Sequence, residues 1–283
     1  MSVLELHNVG ISRGDRPIWN GATFTIEPGT VTAVLGPNGS GKSTLLHAIS
    51  GLLPIAQGEL LVFGAKPHRG NSQVGYVAQT RVADATSTLT GRDYVGLGMD
   101  GVHYGWGRTK GKREAVAQAL RQVGATGFAD RPMHSLSGGQ RQRIAFAHAT
   151  VFKPTLLLLD EPLAALDIAA QAEIVDLINL LRVEQNMAII VVAHDLNPLS
   201  GIVDQVVWIA RRQVKSGSID EVVNESVLSD LYGHPIEILV TPTGRRVIVG
   251  LEEEFAHPHP HGHDHSGEVG HQHFAELYEE GRQ

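Results

Sequence analysis

Short apolar runs alternate with amphipathic segments along the whole chain. Val3, Leu4, Leu6 and Val9, then Ala22, Phe24 and Ile26, then Val31, Ala33, Val34 and Leu35 predict three strands. Arg13-Gly14-Asp15 and Glu27-Pro28-Gly29 supply the turns between them. A helix is expected from about Gly41 to Ser50, with Gly51 as its stop. Glu59 to Phe63 and Gln73 to Ala78 read as further strands. Over about 84–152 the pattern becomes helical. Val116, Leu120 and Val123 share one face of a helix over Lys112 to Val123, ended by Gly124 and preceded by the loop Gly105 to Gly111.

Strand character returns at Thr155 to Leu159, an apolar run suited to a central parallel strand. Ile174, Leu177, Ile178 and Leu181 mark an amphipathic helix, and Ala188 to Ala193 and Val206 to Ala210 are two more buried strands. This alternation predicts an α/β core: a mostly parallel sheet with helices on both faces and an inserted helical subdomain. Ile236 to Val240 and Arg246 to Val249, joined by Thr241-Pro242-Thr243-Gly244, predict a hairpin within an extension over 236–250. The segment 251–283 reads as a flexible tail. No internal repeat is evident.

Composition narrows the function classes. The 283 residues can bury a large core. There is no cysteine, which excludes disulfides and cysteine metal sites and fits a reducing compartment. The N-terminus lacks a signal-peptide pattern, and the longest apolar runs are far short of the roughly 20 residues a spanning helix needs. The net charge of −7 is unevenly placed: residues 251–283 carry eight acidic side chains and one basic one, and the rest balances. A neutral body argues against nucleic acid as a partner.

Gly36-Pro37-Asn38-Gly39-Ser40-Gly41-Lys42-Ser43-Thr44 lies between an expected strand and an expected helix. It fits G-x-x-x-x-G-K-[ST], in which glycines turn backbone N–H groups toward phosphate oxygens at a helix N-terminus. Lys42 would supply a charge for the β- and γ-phosphates, Ser43 a ligand for Mg²⁺, and Thr44 a contact to the α-phosphate. Leu156 to Leu159 ends in Asp160-Glu161. Asp160 suits the Mg²⁺ shell, and Glu161 can act as general base on an attacking water. About a hundred residues after the first motif comes Leu136-Ser137-Gly138-Gly139-Gln140, whose glycines are expected to open a second anion-binding helix terminus, for a helix over Gln140 to Val151. One nucleotide has no use for both termini within one chain.

These segments, in this order, resemble the ATP-binding subunit of ABC transporters over roughly residues 1–235. The resemblance implies a P-loop core with an antiparallel β subdomain, binding ATP and Mg²⁺. It implies a homodimer in which two subunits sandwich two ATP molecules head to tail. Ser137, Gly138, Gly139 and Gln140 would then complete the site of the opposing subunit. Gln79 matches the family glutamine that touches Mg²⁺ and water and reports to the membrane subunit. His194 matches the histidine at the γ-phosphate, and Ala165-Leu166-Asp167 the loop joining the two sites. Arg13 stands where the family usually stacks an aromatic ring on adenine, and a guanidinium plane can do the same. Trp19, nearby, fits core packing. His148 stands where relatives often have arginine, which predicts a lost ion pair.

The tail carries His257, His259, His261, His263, His265, His271 and His273, seven of the fifteen histidines. Pro258 and Pro260 exclude a regular helix there. Imidazoles beside carboxylates suit Zn²⁺, and also Ni²⁺, Cu²⁺ and Co²⁺. The expected function is therefore the ATPase subunit of a divalent metal importer at the cytoplasmic face of the membrane. Zinc comes first, manganese or iron next. Its partners would be integral membrane permease subunits and, indirectly, an extracytoplasmic metal-binding protein. A non-transport ATPase of the same fold is the alternative. Such enzymes usually carry two ATP-binding domains or a long coiled coil, and this chain has one phosphate motif and no sustained heptads. A metal store would leave the ATPase motifs unexplained.

Overall fold

The computed structural model describes residues 2–79, 88–100, 111–242 and 244–249. The segment before Gly111, Thr243 and the histidine-rich tail lie outside the described residues. In chain order, β1 (Leu4–Arg13), β2 (Arg16–Ile26) and β3 (Val31–Leu35) lead into α1 (Lys42–Ile49). β4 (Gln57–Val62) and β5 (Val74–Val77) precede α2 (Gly91–Asp100), α3 (Lys112–Gln122) and α4 (Gly138–Thr150). Next come β6 (Leu156–Asp160), α5 (Ile168–Gln185), β7 (Ala188–Val192), β8 (Gln205–Ala210) and β9 (Gln213–Gly217). The described chain closes with α6 (Ile219–Val222), α7 (Glu225–Tyr232), β10 (Glu237–Val240) and β11 (Arg246–Val249).

The central sheet runs β5-β6-β7-β3-β8-β9. Its first four pairings are parallel and the last is antiparallel. β3, β6 and β7 are buried at every position, because both sheet faces are covered. Alternate side chains serve different layers. Ala33, Leu35, Leu157, Leu159, Ile189 and Val191 pack with Ile144 and Phe146 of α4 and Ile174, Leu177 and Ile178 of α5. Val34, Leu156, Leu158, Ile190 and Val192 pack with Leu45, Leu46 and Ile49 of α1 and with Leu4, Leu6, Trp19 and Leu60. Each such burial contributes about 1.5–3 kcal/mol, so slipping one strand by a residue would forfeit many of them together.

The second layer carries the expected helix and the antiparallel β subdomain that the family resemblance implied. It combines α1 with a three-stranded antiparallel sheet, β2-β1-β4. Trp19 is fully buried there, as its place in the strand pattern implied. The fold also contains α2, β9, α6 and α7, which the apolar pattern did not mark. In α2, Gly91, Gly96 and Gly98 lower helix propensity and hide the helix in the sequence. Packing against α4 accounts for two of them: a Cβ on Gly98 would sit 2.9 Å from the His148 carbonyl oxygen, and one on Gly91 2.8 Å from the Ile144 side chain. His148 itself bonds the Tyr94 carbonyl at 2.9 Å through Nδ1, with the two rings 4.8 Å apart. At this position the side chain is a packing contact between α2 and α4.

All four parallel pairings bring strand carboxyl ends to one edge. The loop after β3, the residues after β5, the end of β6 and the residues after β7 therefore converge. In open α/β sheets that edge is where ligands bind.

Candidate functional site

The loop after β3 is shaped by close packing. Gly36 has φ +138, and a Cβ there would lie 2.0 Å from the Ile209 carbonyl oxygen. Gly41 has φ +98, and a Cβ would meet Ile18 at 2.4 Å and the Trp19 ring at 2.9 Å. Trp19 Nε1 also donates to the Gly41 carbonyl at 3.3 Å, pinning the loop to β2. Only glycine fits either position. Gly41 is the N-cap of α1 and brings no side-chain cap, so the N–H groups of the first turn stay available to an anion.

Lys42 is nearly buried, and its Nζ donates to the carbonyls of Gly36 (2.8 Å) and Pro37 (3.0 Å). Burial lowers the Lys42 pKa, opposed by the nearby Glu161 and Asp160 carboxylates. Ser43 Oγ donates to Asp160 Oδ1 at 2.9 Å. The Ser40 hydroxyl is buried with no hydrogen-bond partner. Open helix N–H groups, a buried ammonium and an orphaned hydroxyl fit a polyphosphate. A serine hydroxyl beside a carboxylate fits Mg²⁺, which prefers hard oxygen ligands.

Glu161 follows β6 in the left-handed region, φ 51, with its N–H donated to the Val192 carbonyl at 3.1 Å. Both carboxylate oxygens are engaged. Gln79 Nε2 donates to Oε2 at 2.6 Å, and His194 Nε2 lies 2.7 Å from Oε1. Three residues called from sequence thus meet in one cluster. Each carboxylate oxygen has a second lone pair, so this grip orients the group without exhausting it.

The cleft over this loop, about 720 Å³, is lined by Arg13, Asn38, Gly39, Gly41, Lys42, Ser43, Thr44 and Glu161, with Arg16, Pro17, Ile18, His47 and Leu53. Arg13 and Arg16 face each other across the β1–β2 turn at the rim. Arg16, Ile18 and His47 carry no motif and escaped the sequence reading.

Ser137, Gly138, Gly139 and Gln140 do not line this cleft. The helix begins earlier than expected, at Gly138, with Ser137 as N-cap. Gln140 N–H donates to Ser137 Oγ (3.3 Å) and Ser137 N–H to Gln140 Oε1 (3.1 Å), a reciprocal capping box. The Ser137 side chain is exposed, and its hydroxyl accepts in this box, so it retains a hydrogen to donate. A Cβ on Gly138 would lie 3.2 Å from Leu166, and Asp167 caps α5 by accepting from Ala170 N–H at 2.8 Å. The segment therefore lies against the 165–167 loop of its own chain. Among the described residues, no group of three or more His, Asp or Glu side chains gathers as a metal cluster, and no helix is long and apolar enough to cross a membrane.

One further residue touches the Asp160 carboxylate. Tyr76 O–H donates to Asp160 Oδ2 at 3.2 Å and lies 3.4 Å from His47 Nε2. Burial, reinforced by Asp160, pushes the phenol well above its ordinary range, so it remains a donor. A phenol inside a strand buried against a second one was the available sequence signal, since a buried tyrosine oxygen needs a partner.

The ABC transporter family profile matches residues 19–164. The zinc import ATP-binding protein ZnuC of Pseudomonas aeruginosa is 35% identical over 232 residues, 82% of this chain and 80% of that protein. The zinc transport system ATP-binding protein TroB of Treponema pallidum is 34% identical over 245 residues, covering 86% and 91%. The hemin import ATP-binding protein HmuV of Rhodococcus jostii is 32% identical over 257 residues, covering 87% and 85%. Among solved structures, an inward-facing metal-chelate type ABC transporter matches with TM-score 0.75 at 27% identity, over 89% of this chain and 99% of that one. A dimeric ATP-binding cassette bound to ADP and Pi matches with TM-score 0.64 at 26% identity, over 76% and 98%.

The Tyr76→Phe variant keeps the ring and removes the bond to Asp160. It is expected to raise the Mg²⁺ concentration for half-maximal ATPase activity about tenfold, the usual effect of losing a group behind a metal ligand. Magnesium titration of turnover at saturating ATP checks this, and an unchanged midpoint contradicts it.

Proposed function

The chain belongs to the ABC transporter ATP-binding family, and on that premise we propose that it energises import of a divalent metal ion, zinc first, through a membrane permease. Its activity is ATP hydrolysis. The observation that carries the assignment of roles is the Glu161 carboxylate, held between Gln79 and His194 beside the Ser43–Asp160 pair. In this reading Lys42 and the open N-terminus of α1 hold the β- and γ-phosphates. Ser43 and Asp160 hold Mg²⁺, which neutralises charge on the phosphate oxygens. Glu161 takes a proton from water as the water oxygen attacks the γ-phosphorus and the bond to the ADP oxygen breaks. Gln79 and His194 keep that carboxylate aimed. Arg13, at the cleft rim, is assigned to the base.

A second copy would supply Ser137 to Gln140 to the γ-phosphate, with Asp167 at the junction. Two features favour a covered face here: Ser137 and Gly138 are exposed, and Ile168, beside Asp167, is 87% exposed. Permease subunits and an extracytoplasmic metal-binding protein complete the proposed system, with this chain at the cytoplasmic face. Zinc rests on two supports, the zinc-import names of the relatives and the seven tail histidines, which would bind or buffer the cytoplasmic metal. The hemin importer among the relatives keeps a second cargo in view. We further propose residues 1–235 as the ATPase unit, with about 84–152 as its helical subdomain.

The Glu161→Gln variant should lose at least about a hundredfold in turnover while still binding ATP, because the amide keeps the shape but cannot take the proton. Turnover near that of the native chain would overturn the base assignment. Zinc titration of the full chain against one ending at Gly250 tests the tail: the full chain is expected to take up more zinc, and equal stoichiometry would remove zinc from the tail.

A further inference from the structure

We propose that the C-terminal hairpin is a positioning element for ATP hydrolysis, acting through Asn197 on the loop that carries His194; this rests on the roles given above to Glu161 and His194. Asn197 behaves toward β11 as a short strand would. Its Oδ1 accepts from Arg246 N–H at 2.9 Å, and its Nδ2 donates to the Arg246 carbonyl at 2.9 Å. The same Nδ2 donates to Asp195 Oδ1 at 2.7 Å, and the Asn197 backbone N–H donates to that oxygen at 2.9 Å. Asp195 directly follows His194, whose Nε2 lies 2.7 Å from Glu161 Oε1. A continuous path therefore runs from Glu161 through His194, Asp195 and Asn197 to β11.

The far end of that path is fixed. The Arg246 guanidinium donates to the Val223 carbonyl at 3.0 Å and pairs with Asp220. Ile236 N–H donates to Ser229 Oγ at 2.9 Å, and Ile238 N–H to Glu225 Oε1 at 3.0 Å. Ile238 and Ile248 pack on the main core. At the near end Ala193, Leu196 and Leu199 reach the core, but the polar residues between them are open to the surface. The His194 side chain is about half exposed, at 48%. A cavity of about 400 Å³ separates Gly36 and Pro37 from Val247 and Ile248, with His194, Asp195 and Asn197 in its wall. Close packing does not fix this loop on that side. The directional constraint is the Asn197 amide, anchored on a strand that is itself clamped to α6 and α7.

The test uses full-length chains carrying His194→Ala, Asn197→Ala, Arg246→Ala, or the last two together. Steady-state ATPase kinetics and ATP titration calorimetry are measured on each. Asn197→Ala is expected to lower kcat about tenfold with unchanged KM and unchanged ATP affinity, since misplacing a group near the reaction costs rate and not ground-state binding. Arg246→Ala should give a smaller loss of the same kind. The double variant should be no worse than Asn197→Ala alone, because both act on one path. A merely structural role would instead lower the folded fraction, leaving KM and kcat of the folded chains unchanged. If His194→Ala is impaired while Asn197→Ala and Arg246→Ala turn over within about twofold of the native chain, the hairpin proposal is overturned and the catalytic reading stands. If His194→Ala keeps native turnover, the role of His194 falls, and the proposal with it. Should Asn197→Ala not fold, Arg246→Ala decides alone, since it removes an anchor remote from Glu161.

Discussion

The site depends on the parallel register of β6, β7 and β3. Asp160 pairs with Val192, and Val34 with the same Val192, so the three carboxyl ends finish level. Val77 pairs with Leu159, which brings Gln79 to the same edge. That register is enforced by side chains far from any phosphate. Leu156 and Leu158 fill one layer while Leu157 and Leu159 fill the other. A slip of one residue would exchange the layers and turn Asp160 away from Ser43.

On this scaffold two adjacent carboxylates meet different surroundings. Asp160, the last strand residue, is almost buried and accepts from two hydroxyls, Ser43 and Tyr76. Glu161, one residue on, leaves the strand through a positive φ and meets Gln79 and His194. The first environment suits a fixed metal ligand and the second a group that handles protons. The separation comes from backbone conformation as much as from sequence, for nothing in an Asp-Glu pair states that the chain will turn there.

Legibility followed the physics of each element. Strands with continuous apolar runs, such as Ala188 to Val192, were plain because burial on both faces leaves no polar positions. The phosphate loop was plain because Gly36 and Gly41 answer to steric demands that no other residue meets. α2 was hidden by glycines that serve close packing against α4, and β9 by the polar surface of an edge strand. In the site, Gln79, Glu161 and His194 came from motif order. Tyr76 and Asn197 did not, since their importance lies in partners 84 and 49 residues away. Long-range hydrogen bonds leave no local pattern.

In the proposed reading, one chain presents half of what the chemistry needs. The cleft gathers the phosphate loop and Glu161, while Ser137 and Gly138 lie exposed outside it, near Asp167. A symmetric pair would bring each outward segment over the other cleft, two identical sites related by a two-fold axis. Mixing two inactive variants tests this directly. Lys42→Ala disables the phosphate loop. Ser137→Asp keeps a capable N-cap but sets a negative charge against the γ-phosphate. If the site is shared, an equal mixture forms mixed dimers with one intact site, and activity should return to about a quarter of the native level. A mixture as inactive as either variant alone would contradict the account.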